Sequence, residues 1–234
     1  MKKALPIGVD NFEEIIQEGY CYVDKTLMIR ELLDLKGKVN LFTRPRRFGK
    51  TLNMSMLRYF FEDSGDAEKN AGNRELFRGL KIMEAGDAYV GQIGMYPVIN
   101  LTLKSAKQPT FESAFRKIKD EIADEYKRHR YVLESNEIDG DSKALFQKIA
   151  DRKGEYDDYS GALKFLSRCL YQATGKKTVV LIDEYDVPLE NAYFRGFYGE
   201  MVQQQGRALV LKAESEHKTV IILMVALVAV LILA

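Results

Sequence analysis

The chain has 234 residues, of which 46% are hydrophobic, and its formal net charge at pH 7 is +1. This length can bury a full core and suits one domain with room for an inserted subdomain, while the charge neither favours nor excludes nucleic acid. Two histidines and two widely separated cysteines argue against a structural zinc site and predict buried free thiols at Cys21 and Cys169. The N-terminus has two lysines but no apolar signal region, which predicts a cytoplasmic protein.

The first predicted elements are helices at 11–18 and 25–36, where apolar residues recur at helical spacing. Between them, the tyrosine-rich segment 20–23 favours a short strand. The Asp24-Lys25 pair that follows is interpreted as a solvated turn.

A phosphate-binding loop is predicted within residues 39–52. An apolar run at 39–43 indicates a strand, and the loop after it ends in Gly49, Lys50 and Thr51 before a helical pattern begins. In this arrangement the loop amides and the helix N-terminus offer N–H groups and a positive dipole to an anion. Lys50 adds a charge for the terminal phosphates, and the Thr51 hydroxyl can ligate Mg²⁺.

The loop departs from the general phosphate-loop pattern at its first position. That pattern, G-x-x-x-x-G-K-[ST], has glycine where this chain has Arg44, which Pro45 follows. Arginine adopts positive φ only with strain, so the loop is expected to follow a different path. Its arginines suit phosphate oxygens of a nucleotide or a partner, although a solvated basic loop is the alternative. The predicted nucleotide-binding residues are Arg44, Pro45, Arg46, Arg47, Phe48, Gly49, Lys50, Thr51 and Leu52.

Strands and helices alternate through the middle of the chain, which is typical of an α/β fold with a parallel sheet. The predicted elements are a polar connection at 63–74, a strand at 96–103, an amphipathic helix at 111–126, a short helix at 142–150, and a helix with Ser160 as its N-cap that runs to about Thr174.

A second apolar run, at 178–186, ends in acidic residues. Its sequence, Thr-Val-Val-Leu-Ile-Asp-Glu-Tyr-Asp, is typical of a buried parallel strand, and ligands bind at the carboxyl edge of such sheets. Asp183 can hold Mg²⁺ through its water shell, and Glu184 can orient or deprotonate the attacking water. Asp186 either helps to order the site or caps the turn before Pro188.

Four separated motifs carry a family resemblance. They are Leu-Pro-Ile-Gly-Val-Asp-Asn-Phe (5–12), Gly-Tyr-Cys-Tyr-Val-Asp-Lys-Thr (19–26), Arg-Pro-Arg-Arg-Phe-Gly-Lys-Thr (44–51) and Ile-Asp-Glu-Tyr-Asp-Val-Pro-Leu (182–189). Over residues 4–201 the chain resembles the AAA-ATPase-like family, bacterial proteins that often carry a C-terminal PD-(D/E)XK nuclease-like domain, and in which arginine at position 44 is normal. The resemblance implies an ATP-binding P-loop NTPase, a three-layer αβα sandwich, with Lys50, Thr51, Asp183 and Glu184 in the usual roles. It also implies that the segment around Asp24-Lys25 lies near the nucleotide site, although the residues alone favour a solvated turn there.

The C-terminal part lacks a recognisable continuation of that family. Residues 1–201 form the predicted P-loop domain, 202–219 a charged linker and 220–234 an uninterrupted apolar run. With no match to later strands, the sandwich is expected to be incomplete at its C-terminus. As a helix the run spans about 22 Å, short of the roughly 30 Å hydrocarbon core of a bilayer. Three interpretations stay open: a thin membrane anchor, a buried element of the domain, or a truncated or frame-shifted end.

The sequence therefore predicts an ATP-binding protein that hydrolyses ATP with Mg²⁺ as cofactor. Lys50 and Glu184 are the predicted catalytic residues, and Thr51 and Asp183 are the predicted metal ligands. The alternative is a catalytically incomplete nucleotide-binding or regulatory fragment, membrane-tethered through 220–234. A nucleic-acid partner is a third alternative, which rests on the loop arginines and on family analogy.

Overall fold

The computed structural model describes residues 3–35, 37, 39–43, 48–209 and 219–226. Its strands are β1 (Val39–Thr43), β2 (Val98–Thr102), β3 (Thr178–Asp183) and β4 (Thr219–Ala226). Its α-helices are α1 (Phe12–Gln17), α2 (Leu27–Leu35), α3 (Lys50–Phe61), α4 (Ala67–Glu75), α5 (Asp87–Val90), α6 (Phe111–Arg128), α7 (Gly140–Ala150), α8 (Ala162–Thr174), α9 (Val187–Arg195) and α10 (Tyr198–Leu209).

The strands form one parallel sheet in the order β1-β4-β3-β2. Asp183, at the end of β3, lies opposite Thr102 of β2 and Val225 of β4, while Thr43 of β1 lies opposite Ala226. The carboxyl ends of all four strands therefore share one edge. The predicted parallel α/β sheet is confirmed, with helix as the larger part of the fold.

The two faces of the sheet belong to separate apolar clusters. Along β3, Val179 and Leu181 pack with the helices α1 to α3, whereas Val180 and Ile182 pack with α6, α8 and α9. This alternation follows from the two-residue period of a strand. Every residue of β3 is buried, as expected for a parallel strand covered on both faces.

Side-chain caps define where several helices begin. Asn11, Asp66, Thr110 and Asp139 accept hydrogen bonds from first-turn N–H groups of α1, α4, α6 and α7. A cap of this kind contributes about 1 kcal/mol to helix stability. The cap explains why the segment 63–74, predicted as a polar connection, contains α4 despite its polar composition.

Two predictions near the N-terminus are wrong. No strand forms at 20–23 in the part of the chain that the structure describes; instead, the Cys21 N–H donates a 2.8 Å hydrogen bond to the Ala4 carbonyl. The Cys21 side chain is exposed rather than buried, because this extended segment runs over the surface. Cys169 is buried, as predicted.

The start of α8 also differs from the prediction. Gly161, not Ser160, occupies the N-cap, and its φ of +72° is left-handed. Glycine adopts that conformation without strain, so the helix starts one residue later than the predicted serine cap.

The apolar C-terminal run contributes β4, which lies between β1 and β3 and is parallel to both. At 219–226 the run is therefore a folded element of the sheet, the second of the three interpretations, and the expectation that the later strands are missing is wrong for β4. α10 extends to 209, while 210–218 and 227–234 lie outside the described residues. Within the described ranges, no helix has the length and apolarity needed to cross a membrane.

Candidate functional site

Helix α3 begins within the last residues of the predicted phosphate loop. Gly49 occupies its N-cap with a φ of +71°, and Lys50 and Thr51 are its first residues. Only glycine adopts that φ without strain, which explains its place in the pattern. A glycine N-cap has no side chain to bond the first-turn N–H groups, so these groups face the space beyond the helix end, where an anion binds favourably.

The other predicted nucleotide-binding residues fall into three groups. Residues 44–47, which include the three arginines, lie outside the described residues. The Phe48 side chain is exposed and lines a cavity together with Lys50. The Leu52 side chain packs against the apolar cluster of the N-terminal helices, and its contact with a nucleotide stays a prediction.

Asp183, the last residue of β3, lies beside the start of α3. The Thr51 hydroxyl donates a 2.8 Å hydrogen bond to Oδ2 of Asp183, although the two residues are 132 positions apart in the chain. The fold thus brings the two predicted metal ligands into direct contact at the carboxyl edge of the sheet.

The environment of Asp183 is unfavourable for a carboxylate. Its side chain is only 5% exposed, and its Oδ1 has no hydrogen-bond partner among the described residues. Burial raises the pKa of Asp183, and the neighbouring Glu184 carboxylate adds to this effect. Hydrogen bonds from the Thr51 hydroxyl and the Glu184 N–H and the charge of Lys50 oppose it. A buried acceptor without a partner is costly, and sites that bind a cation commonly contain one.

The donor set suits Mg²⁺. This cation binds through one or two protein oxygens, with waters and substrate phosphates completing the octahedron. The Thr51 hydroxyl and the unpartnered Asp183 Oδ1 are oxygens of this kind. Within the described ranges no group of three or more carboxylate, histidine or cysteine side chains is positioned to hold a metal ion. The arrangement therefore fits a cation that arrives with a phosphate ligand.

Glu184 follows Asp183 in a conformation that non-glycine residues rarely adopt. Its φ is +56°, and among the described residues only Arg152 shares such a positive value without being glycine. A left-handed glutamate costs roughly 1–2 kcal/mol. Strained backbone of this kind clusters at functional sites. There it gives a side chain a direction that it would not have in a regular strand.

Asp186 occupies the N-cap position of α9, in which Pro188 lies in the first turn. Its side chain makes no capping hydrogen bond to the helix. Asp186 therefore occupies the predicted capping position, but its side chain does not cap the helix.

A cavity of about 440 Å³ opens between α2, α3, Phe48 and the β1 residue Phe42. Lys25 and Lys50 both line it, and Phe42 and Met54 contribute apolar walls. The Lys25 Nζ lies 4.0 Å from the position that a Cβ on Gly49 would occupy. The structure therefore brings a second lysine to the phosphate loop.

Lys25 is not among the predicted site residues, because on the residues alone Asp24-Lys25 was interpreted as a solvated turn. A signal was present: hydrogen-bonding residues, Asp24 and Thr26, flank a lysine on both sides. Such residues commonly fix a turn through their side chains, which leaves the residue between them directed outward. The target of that lysine, however, could be known only from the fold.

The parallel sheet, the Gly49-Lys50-Thr51 helix start and the acid at the end of β3 define a nucleotide-binding protein of the P-loop class. The chain matches the family model described as "Predicted AAA-ATPase" over residues 6–226 and belongs to the AAA-ATPase-like family. The match extends beyond 201, where the sequence resemblance ended, and includes β4. Membership of this family implies nucleotide binding.

One curated relative is similar to most of the chain. It is a protein of Azotobacter chroococcum mcd 1 described as "Uncharacterized protein in vnfD 5'region", 30% identical over 189 residues. The alignment covers 80% of this chain but 30% of the relative, so the chain spans about a third of that protein's length. No solved structure gives a significant match.

Proposed function

We propose that the chain binds ATP with Mg²⁺ at the carboxyl edge of the sheet and hydrolyses it. Lys50 and the first N–H groups of α3 bind the terminal phosphates, and Thr51 and Asp183 hold the cation. Glu184 orients the attacking water and accepts its proton. In this proposal the fold is the three-layer αβα sandwich of a P-loop NTPase, with helices on both faces of the sheet.

The contact between Thr51 and Asp183 is the observation that carries the proposal. A hydroxyl at the start of α3 and a buried carboxylate at the end of β3 meet at 2.8 Å, and one oxygen of that carboxylate has no partner among the described residues. No packing role requires a carboxylate there, because an apolar residue would avoid the cost of burial. A bound cation would supply the missing partner and neutralise charge on the phosphates.

The reaction would be a displacement at the γ-phosphorus. Water attacks as the bond to the β–γ bridging oxygen breaks, which releases ADP and phosphate. Glu184 follows the cation-binding Asp183 in the chain, at the carboxyl edge of the sheet where the phosphates would bind. The Lys50 ammonium stabilises negative charge as it develops on the phosphate oxygens.

Binding is tested by calorimetry with Mg·ATP on the full chain, because any truncation before 219 removes β4. We expect the wild type to bind, and we expect Lys50→Ala and Asp183→Asn to weaken binding by at least about 10-fold, since each loses an interaction with a charged group. Without Mg²⁺, Asp183→Asn should bind ATP as the wild type does, whereas Lys50→Ala should still bind ATP more weakly than the wild type. The matched control is Lys69→Ala, an exposed lysine on α4. A folded wild-type chain that binds no nucleotide would contradict the proposal.

Turnover is tested separately by steady-state phosphate release. Glu184→Gln keeps the size of the side chain but cannot accept a proton, so it should abolish hydrolysis while binding persists. Binding without any hydrolysis by the wild type would instead identify a non-hydrolysing nucleotide-binding module.

A further inference from the structure

The turn Asp24-Lys25-Thr26 is held rigidly by its own side chains. Oδ1 of Asp24 accepts hydrogen bonds from both the N–H and the hydroxyl of Thr26, at 2.8 and 2.7 Å. This is the Asx geometry that fixes a turn without help from regular secondary structure.

The same two side chains attach the turn to the 3₁₀ helix Lys81–Glu84. Oδ2 of Asp24 accepts from the Lys81 N–H at 2.8 Å, and the Thr26 hydroxyl, fully buried, accepts from the Ile82 N–H at 3.1 Å. Burial alone would raise the pKa of Asp24, but these hydrogen bonds from Thr26 and Lys81 lower it. Both flanking residues are thus occupied in holding the turn, whereas Lys25 between them points away from it.

Lys25 is directed at the phosphate loop. Its Nζ lies 4.0 Å from the position of a Cβ on Gly49, and it shares the 440 Å³ cavity with Lys50. No carboxylate among the described residues forms an ion pair with Lys25, although Glu31 lines the same cavity. Two cationic side chains thus line one cavity, where an anion with more than one charge can interact with both.

We propose that Lys25 is a second phosphate-binding lysine of this site, supplied from the turn before α2. The proposal rests on the function proposed above, and it adds a residue that lies outside the Gly-Lys-Thr segment. Because a triphosphate carries more charge than a monophosphate, a second cation favours ATP over AMP. A solvated surface lysine would have no such effect.

The test compares Lys25→Met, which keeps most of the stem and removes the charge, with Lys25→Arg, which keeps the charge. Calorimetry with ATP is run at several salt concentrations on the full-length variants, with Lys69→Ala as the control for losing any one positive charge. We expect Lys25→Met to bind ATP about 10- to 100-fold more weakly, the range for one hydrogen bond to a charged group. Its affinity should also depend less on salt, since one ionic contact is gone. Lys25→Arg should stay within a few-fold of wild type.

The outcomes separate this inference from the proposed function. If the wild type binds ATP, Lys50→Ala loses binding and Lys25→Met binds as the wild type does, the inference is overturned while the function stands. If the folded wild type binds no nucleotide, both are overturned. Equal losses in Lys25→Met and Lys69→Ala would also overturn the inference, because they would reflect overall charge. Lys25 is exposed, so a change in thermal melting is not expected to complicate the comparison.

Discussion

The two ends of the parallel sheet both bury acidic side chains, but the surroundings of those side chains differ. At the amino end, Glu62 and Glu125 are almost completely buried and share the guanidinium of Arg128. At the carboxyl end, Asp183 is equally buried, but one of its oxygens has no hydrogen-bond partner among the described residues.

In the network of Glu62, Glu125 and Arg128 at the amino end, each carboxylate has several hydrogen-bond partners. Arg128 donates to Glu62, to Glu125 and to the carbonyl of Val98, the first residue of β2. The Asn100 N–H adds a 2.8 Å hydrogen bond to Glu125. Burial alone would raise the pKa of Glu125. The charge of Arg128 and the hydrogen bonds that Glu125 accepts lower that pKa to about 2.

The carboxyl end combines the opposite features. The pKa of Asp183 is raised by burial, and the next residue, Glu184, has a strained backbone. Fully paired buried charges serve stability and geometry, whereas a buried carboxylate with one unpartnered oxygen beside strained backbone costs stability and is retained where a ligand supplies the missing partner. This difference favours a structural role for the amino end and supports the functional role proposed for the carboxyl end.

Both ends depend on β4, so its removal should have the largest effect. A chain that stops after residue 209 loses the strand between β1 and β3, and the backbone groups of both strands that face β4 lose their partners. We expect no cooperative unfolding transition in urea by circular dichroism. A chain that stops after residue 226 keeps β4 and should unfold cooperatively. A cooperative transition in the shorter chain would show that β4 is dispensable.

Breaking the amino-end network should have the next largest effect. Arg128→Met leaves two buried carboxylates without their cation and should lower the free energy of unfolding by about 3–5 kcal/mol. Arg152→Met is the matched control, because its ion pairs with Asp120 and Asp124 are exposed and contribute about 0–1 kcal/mol. Urea titration measures both. Equal losses in the two variants would contradict the structural role assigned to the network.

The pH dependence of stability should carry opposite signs at the two ends. The folded-state pKa of Glu125, about 2, is below the unfolded value of about 4.3, so its stabilisation is present above pH 4.3 and is lost as pH falls towards 2. The pKa of Asp183 is raised, so its contribution declines as pH rises from the unfolded value through the higher folded value.

These signs are measured by urea unfolding between pH 2 and 7. Glu125→Gln should flatten the loss of stability in acid, while Asp183→Asn should be at least as stable as the wild type at pH 7. An Asp183→Asn chain that is much less stable at pH 7 would indicate a structural role for that carboxylate.

The smallest expected effect concerns the strain at Glu184. Glu184→Gly relieves the left-handed conformation and should raise the free energy of unfolding by about 1 kcal/mol relative to Glu184→Gln, which keeps the strain. Both variants should lose ATP hydrolysis, because neither can accept a proton. Stability is measured by urea unfolding and turnover by phosphate release. A glycine variant that is no more stable than the glutamine variant would show that the backbone is not strained.

Local patterns predicted several of the regular elements well. The strands at 39–43 and 178–183 and the long helix α6 follow from apolar periodicity that persists over many residues. The failures occurred where a few side-chain hydrogen bonds or a glycine decide the outcome. Asp66 starts α4 in a segment that composition assigns to a loop, and Gly161 replaces Ser160 at the start of α8.

By itself, the sequence determined which residues are chemically suited to a nucleotide site: Gly49, Lys50 and Thr51 after one strand, and Asp183 and Glu184 after another. Tertiary structure alone decided that Thr51 and Asp183 touch, that Lys25 reaches the same loop, and that 219–226 is an inner strand. The physical reason is that an apolar run buries itself equally well as a helix or a strand, and that contacts between residues far apart in the chain depend on how all the elements pack.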